Sequence, residues 1–348
     1  MGRDLILVTG ATGFLGHNLV SFLVSSGYPV RALVRPASSW QYLRDLGVEL
    51  AWGDVTDAES VRRAVEGCRY VAHGAGLFRF WGNPQAFERT NVHGTANVME
   101  AAQRANAEKV VHISTIAVVG NPPPGTVIHE DTPLHPVDAY QLSKRDGENM
   151  VRMYHRSTRL PVVILRPGAF YGPWGHYAFN RLFFEDPLKG LRIQVHWGKR
   201  YTFPVFVPDV ARAILAALLR GQAGETYNVS GESLTHRRSN AVISRLAGIS
   251  AWRLNVPAGL MVALAGAWTR LAERTGREPY YPINLAGYVF NDWKVSSAKA
   301  QAELGFAATP FEEGARQTLE WYWDMGLFKR PTHVRPRPAA EVVTVSDE

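Results

Sequence analysis

Short apolar runs alternate with longer amphipathic ones through the first half of the chain. The two periods predict strands and helices in turn. Leu5–Thr9, Val30–Val34, Val48–Trp52, Tyr70–His73, Val110–Ser114 and Val162–Arg166 read as strands. Phe14–Ser25, Ala58–Val65 and Phe87–Ala105 carry the helical period between them. Strands alternating with helices imply right-handed crossovers and a mostly parallel sheet covered on both faces. The predicted fold class is therefore α/β, doubly wound, with ligands bound beyond the carboxyl ends of the strands.

After Tyr171 the rhythm breaks. Residues 172–206 are rich in aromatics, Gly and Pro, with one short helix predicted near 178–185, and Pro208–Leu219 again reads as a regular helix. We expect a nucleotide-binding domain over 1–172, re-entered by about 206–228. A smaller C-terminal substrate-binding lobe takes 173–205 and 229–330. The proline-rich tail 331–348 has few apolar anchors and is expected to be disordered. Leu254–Thr269 is an uncharged stretch between Arg253 and Arg270, shorter than a membrane span needs. It is expected to be a helix packed in the protein, with contact at a membrane surface as the other reading.

Composition narrows the picture without changing it. The chain has 348 residues, 46% of them hydrophobic and 20% charged, and a formal charge of +7. Its Lys and Arg are scattered rather than clustered, which argues against nucleic acid as a partner and leaves room for a local positive pocket. A single cysteine, Cys68, excludes an internal disulfide and a cysteine-built metal site, and no metal is expected. Arg3 and Asp4 lead directly into the first strand, so no signal peptide is expected and a cytoplasmic location is.

The first strand runs into Thr9-Gly10-Ala11-Thr12-Gly13-Phe14-Leu15-Gly16, which opens the first helix. Glycines at 10, 13 and 16 permit a tight turn, a close approach of backbone to pyrophosphate and close helix–sheet packing. The helix N-terminus would then hold the anion. No Lys-Ser/Thr pair follows Gly16, which excludes a phosphate loop of the nucleotide triphosphatase type. At the end of the second strand, where a carboxylate would accept the ribose hydroxyls of NAD, the chain reads Val34-Arg35. That pair suits a 2′-phosphate, so NADP(H) is the preferred cofactor and NAD(H) the other. Asp54 and Val55, after the third strand, face the adenine, though Asp54 also suits a helix cap.

Tyr140 and Lys144 stand four residues apart, on one face of a predicted helix. A free phenol is a poor base near neutral pH, and a nearby ammonium or nicotinamide cation favours its phenolate. Tyr140 can then exchange the alcohol proton while hydride moves to or from the ring. Thr115, closing the fifth strand after Ser114, can steady the substrate oxygen beside Tyr140.

With these residues in place, the chain resembles the extended short-chain dehydrogenase/reductase family, of NAD-dependent epimerase/dehydratase type, over roughly residues 4–325. The resemblance is greatest to the branch of 3β-hydroxysteroid dehydrogenases, dihydroflavonol reductases and hopanoid-associated epimerases. Its motifs here are TGATGFLG (9–16), GDV (53–55), NVHGTANV (91–98), HISTIAVVG (112–120), YQLSK (140–144), LRPGAFYGP (165–173) and FVPDVARAI (206–214). The resemblance implies a Rossmann fold and a Thr115–Tyr140–Lys144 triad, with Ser114 the less favoured hydroxyl. It implies that His73, Gly74 and Asn91 border the cofactor and that Pro167-Gly168 contacts its nicotinamide end. A homodimer is likewise implied.

The substrate is read from the loop Gly76-Leu77-Phe78-Arg79-Phe80-Trp81, which follows the fourth strand, with Tyr171, Trp174, Tyr177 and Phe203. Together they suggest an apolar aromatic pocket, with about half of them expected to be lobe packing instead. Sugar-nucleotide members usually carry an Arg seven residues before the Asp of the FVPD-type motif. Thr202 stands there, with Lys199 and Arg200 nearby. Three readings follow. The first is an NAD(P)-dependent dehydrogenase or reductase of a bulky apolar hydroxyl or ketone compound, steroid, terpenoid or flavonoid-like. The second is a redox-neutral sugar-nucleotide epimerase or dehydratase with tightly bound NAD, and the third a non-catalytic NADP(H) sensor, against which the intact Tyr–Lys pair speaks.

Overall fold

The computed structural model describes residues 4–331. The tail expected to be disordered lies, but for its first residue, outside the described residues, as does the start of the N-terminus.

A seven-stranded parallel sheet forms the centre. Its strands are β1 (Ile6–Thr9), β2 (Val30–Val34), β3 (Glu49–Trp52), β4 (Tyr70–His73), β5 (Lys109–Ile113), β6 (Val162–Pro167) and β7 (Thr226–Val229), in the order β7-β6-β5-β4-β1-β2-β3. The chain runs outward from β1 through β2 to β3, then crosses back to lay β4 on the other side of β1. That reversal is the topological switch point, and Thr9 pairs there with both Leu33 and His73. Both faces are buried: Ile6, Val8, Val111 and Leu165 pack under the helices Phe14–Ser25 and Val207–Arg220. Leu7, Val71, Val110 and Ile164 pack under Ala58–Val65, Gly94–Arg104 and Ala139–Thr158.

The region read as one helix, Phe87–Ala105, is split. Asn83 caps an earlier start at Pro84, and a π-helical turn at Arg89–His93 precedes the helix Gly94–Arg104. A π turn widens the helix by one residue, and here it carries Asn91 into the interior. Between β6 and β7, and again after β7, the chain leaves the sheet for short strand pairs, Ala169–Tyr171 with Pro204–Phe206 and Ile193–Val195 with Leu254–Val256. These sit beside an aromatic cluster that includes Tyr171, Phe179, Phe184, Phe311 and Tyr322.

The uncharged stretch departs from its expectation. Pro257 divides it into a strand, Leu254–Val256, and a helix, Ala258–Thr275. That helix is not packed inside the protein, because Ala265 and Ala272 are its only buried residues. Among the described residues no helix is long and apolar enough to cross a membrane.

Candidate active site

At the switch point β1 leaves through Gly10, whose φ of +74° an L side chain rarely adopts. A Cβ at Gly16 would meet the Gly10 and Ala11 carbonyl oxygens at 2.2 Å, so only glycine lets the helix start against the loop. The helix has Gly13 as its N-cap and no side chain capping its first turn, leaving its amide groups to an anion. Gly10, Thr12, Gly13, Phe14, Leu15 and Gly16 line one end of a cavity of about 680 Å³. Arg35, Ser38, Asp54 and Val55 line it at the ends of β2 and β3, and Gly74, Ser114, Pro167 and Gly168 beyond β4, β5 and β6. The uncapped turn, the side-chain-free cradle and the elongated lining fit a dinucleotide.

Asp54 does not cap the next helix. Its Oδ1 accepts the Thr56 amide and hydroxyl at 2.9 Å each, while Asp57 caps by accepting from the Glu59 amide. The second Asp54 oxygen lies 3.9 Å from the Arg35 guanidinium. His73 does not run along the cavity as expected. It is fully buried, bonded to Thr9 Oγ1 at 2.8 Å and Thr95 Oγ1 at 3.0 Å. Asn91 is likewise absent from the lining. Its carboxamide accepts the Leu77 amide at 2.7 Å and donates to the Leu77 carbonyl at 3.0 Å and to Ser143 Oγ at 2.9 Å. Asn91 thus ties the loop after β4 to the helix that carries Tyr140.

That helix, Ala139–Thr158, starts at Asp138, which accepts the Gln141 amide at 2.8 Å and the Tyr288 hydroxyl at 2.9 Å. Tyr140 and Lys144 lie one turn apart, and both line the cavity with Thr115. The Tyr140 hydroxyl is hydrogen-bonded to the Thr115 side chain, and Thr115 Oγ1 also accepts the Ala117 amide at 3.2 Å. Lys144 Nζ donates to the Ile113 carbonyl at 2.6 Å. The helix lies so close to the π turn that a Cβ at Gly147 would stand 2.7 Å from the Asn91 carbonyl oxygen.

Burial pushes the Tyr140 phenol well up, the Asp138 charge adds to this, and only the Thr115 hydrogen bond pulls the other way. The chain's own environment therefore moves Tyr140 against the direction that a neighbouring ammonium alone would give. Burial lowers Lys144 to about 8, with the charge of Glu148 opposing. Burial alone would also raise Glu148, but Arg166 donates to both its oxygens, at 2.8 and 2.7 Å, and holds the carboxyl below its usual range. An ionised Glu148 one turn beyond Lys144 favours the ammonium.

The other end of the cavity is apolar. Phe78, Phe80 and Phe203 line it, and Phe78 sits 4.8 Å from the Tyr140 ring, centre to centre. Trp81, Tyr171 and Trp174 do not line it. Tyr171 belongs to the aromatic cluster and Trp174 stacks on His17 at 4.3 Å. Sequence reasoning missed Phe179, Leu182, Phe183, His236, Leu285 and Tyr288, which the fold brings here from 179–183 and from far down the chain. Among these, Tyr288 had no signal beyond a short apolar run, yet its hydroxyl reaches Asp138 beside Tyr140. Among the described residues no cluster of His, Cys, Asp and Glu could hold a metal ion.

A doubly wound sheet with an uncapped glycine cradle at its switch point, and a Tyr–Lys pair facing it, defines a nicotinamide-dinucleotide protein. The chain belongs to the NAD dependent epimerase/dehydratase family, whose model matches residues 6–230. It is 33% identical over 336 residues to sterol demethylase protein B of Methylococcus capsulatus, covering 92% of this chain and 99% of that protein. It is 30% identical to the 4-hydroxy-2-methyl-3-oxo-4-farnesyl-3,4-dihydroquinoline-1-oxide ketoreductase of Stigmatella aurantiaca, covering 86% of this chain and 91% of that protein. Among solved structures it is similar to DesIV, the dTDP-glucose 4,6-dehydratase of Streptomyces venezuelae, solved with NAD bound. There the TM-score is 0.76 and the identity 26%, covering 93% of this chain and 99% of that one.

Proposed function

We propose that the chain is an NADP(H)-dependent reductase or dehydrogenase acting on a ketone or hydroxyl of a bulky apolar compound. The observation that carries this reading is the lining of the cavity beyond Tyr140. Phe78, Phe80, Phe179, Leu182, Phe203 and Leu285 meet there, and the two basic groups beside them are unsuited to a diphosphate. Arg79 is paired with Glu278 at 3.5 Å, and burial lowers His236 to about 4, so it is neutral at pH 7. Thr202, standing where a sugar-nucleotide enzyme would place an Arg, is also in the lining. Relatives named for a sterol and for a farnesylated ketone support the same class.

In this reading residues 1–172 with 206–228 carry the cofactor, and 173–205 with 229–330 carry the substrate. Arg35, at the end of a second strand without a carboxylate, faces the 2′-phosphate of NADP(H). The cofactor, when bound, supplies or accepts the hydride. Tyr140 Oη holds the proton at the substrate oxygen, Thr115 Oγ1 steadies that oxygen, and Lys144 contributes its positive charge beneath. A phenol raised by burial is protonated at neutral pH, which equips Tyr140 to donate when a ketone is reduced.

A redox-neutral sugar-nucleotide reading draws on the similarity to DesIV. Product analysis separates the two. The reductase reading expects NADPH to be consumed with apolar ketones and released freely from the purified protein. Tightly retained NAD and conversion of a sugar nucleotide without net consumption would overturn it. Calorimetry tests the cofactor by itself: tighter binding of NADPH than NADH is expected, with the preference lost in Arg35→Glu.

A further inference from the structure

The helix Ala258–Thr275 leaves an apolar face uncovered. Leu260, Leu264, Trp268 and Leu271 follow the spacing i, i+4, i+8, i+11, which places them along one side, and all four are exposed. Trp252 and Leu254, just ahead of the helix, are exposed as well. Ile283, exposed as well, packs on the other side of the helix, near Gly266, its amide donating to Thr269 Oγ1 at 3.1 Å. Arg270 and Arg274 flank the apolar face, and Arg277 follows the helix end at Gly276. None of these three guanidinium groups is in an ion pair among the described residues.

We propose that this helix docks the protein on an anionic lipid surface. An exposed apolar face edged by arginines is what an interfacial helix needs. Its Leu and Trp side chains enter the headgroup–acyl boundary to about 5–10 Å, and its cations lie among the phosphates. The helix lies on the surface and does not cross it, in keeping with its length and charge. Charge argues for lipid over a second copy. Two copies meeting through this face would bring their own Arg270, Arg274 and Arg277 together, with Glu273 the one acid of the helix to offset them.

The position of the face gives docking a consequence. Asn284, next to Ile283, donates to the Phe80 carbonyl at 3.0 Å, and Leu285 and Tyr288 line the apolar end of the cavity. That segment packs against the docking helix at Thr269, so docking brings the apolar end of the cavity near the lipid. An apolar substrate then reaches Tyr140 from the membrane rather than from water, a step that rests on the apolar-substrate reading above.

Flotation of the full chain with phosphatidylcholine vesicles, with and without phosphatidylglycerol, tests the docking with no substrate present. Its outcome is thus separate from that of the reductase reading. Binding to the anionic vesicles, weakening as salt rises, is expected. Leu264→Glu/Trp268→Glu and Arg270→Glu/Arg274→Glu should each bind about tenfold less or weaker still, with melting temperature and turnover of a detergent-dispersed ketone unchanged. Absence of wild-type binding, equal binding by the variants, or a solution dimer that Leu264→Glu/Trp268→Glu splits would each overturn the proposal.

Discussion

Two buried charges at the candidate site, Lys144 and Glu148, are set by what surrounds them. Burial lowers Lys144 to about 8, from an ordinary value of 10.5. Between those two values the unfolded chain holds a proton that the folded chain has lost, so stability contributed by this group rises with pH across the window. We expect urea midpoints of the cofactor-free protein to gain at most about 1.4 kcal/mol per pH unit there from Lys144. Lys144→Met should lack that increment relative to wild type, and identical slopes in the two proteins would contradict it. Tyr140, Lys144 and the glycines were legible in the sequence because their chemistry depends on spacing within one element. Tyr288 and His236 were not, since only the return of distant segments brings them to the cavity. Asn91 was legible as a residue and misread as to role: its hydrogen bonds go to Leu77 and Ser143, which no local pattern reveals.

At the scale of elements, the junction of the Tyr140 helix with the π turn positions the site. Gly147 lies three residues after Lys144 and faces the Asn91 carbonyl, with no room for a methyl group. Gly147→Ala should push the two elements apart, destabilise the fold by about 1–3 kcal/mol, and lower kcat more than it changes cofactor affinity. Chemical denaturation with steady-state kinetics reads both, and a fully stable, fully active variant would show that the junction does not matter. Six of the seven strands of the sheet were predicted within a residue or two, because buried parallel strands are short apolar runs between turn residues, whereas the edge strand Thr226–Val229 was not predicted. The π turn was not, since it changes the helical period by one residue without altering composition. The helix Ala258–Thr275 was misplaced because apolar sequence by itself does not say what covers it.

For the whole molecule, three histidines are held neutral in the interior. Burial lowers His73 to about 3 and His236 to about 4, and takes His112 well below its usual value, with the Lys144 charge adding to the effect at His73 and His112. Below about pH 6.5 the unfolded chain takes up protons at these positions that the folded chain refuses. Stability should therefore fall as pH drops from 6.5 toward 4, by about 1.4 kcal/mol per histidine per pH unit at most. A urea midpoint flat from pH 7 to 5 would contradict this. The doubly wound sheet was legible from alternation alone, whereas the apolar end of the cavity was half legible: Phe78, Phe80 and Phe203 line it, and Tyr171 and Trp174 went to packing. The central claim is that Tyr140 hands a proton to an apolar ketone while the cofactor hands over a hydride. The most direct measurement follows absorbance at 340 nm for wild type and Tyr140→Phe, with NADPH and a panel of sterol and terpenoid ketones. The account predicts consumption by the wild type, a loss of about 10²–10⁴-fold in kcat in the variant, and unchanged NADPH affinity. Turnover undiminished in Tyr140→Phe, or no turnover of any ketone by a wild type that binds NADPH, would contradict it.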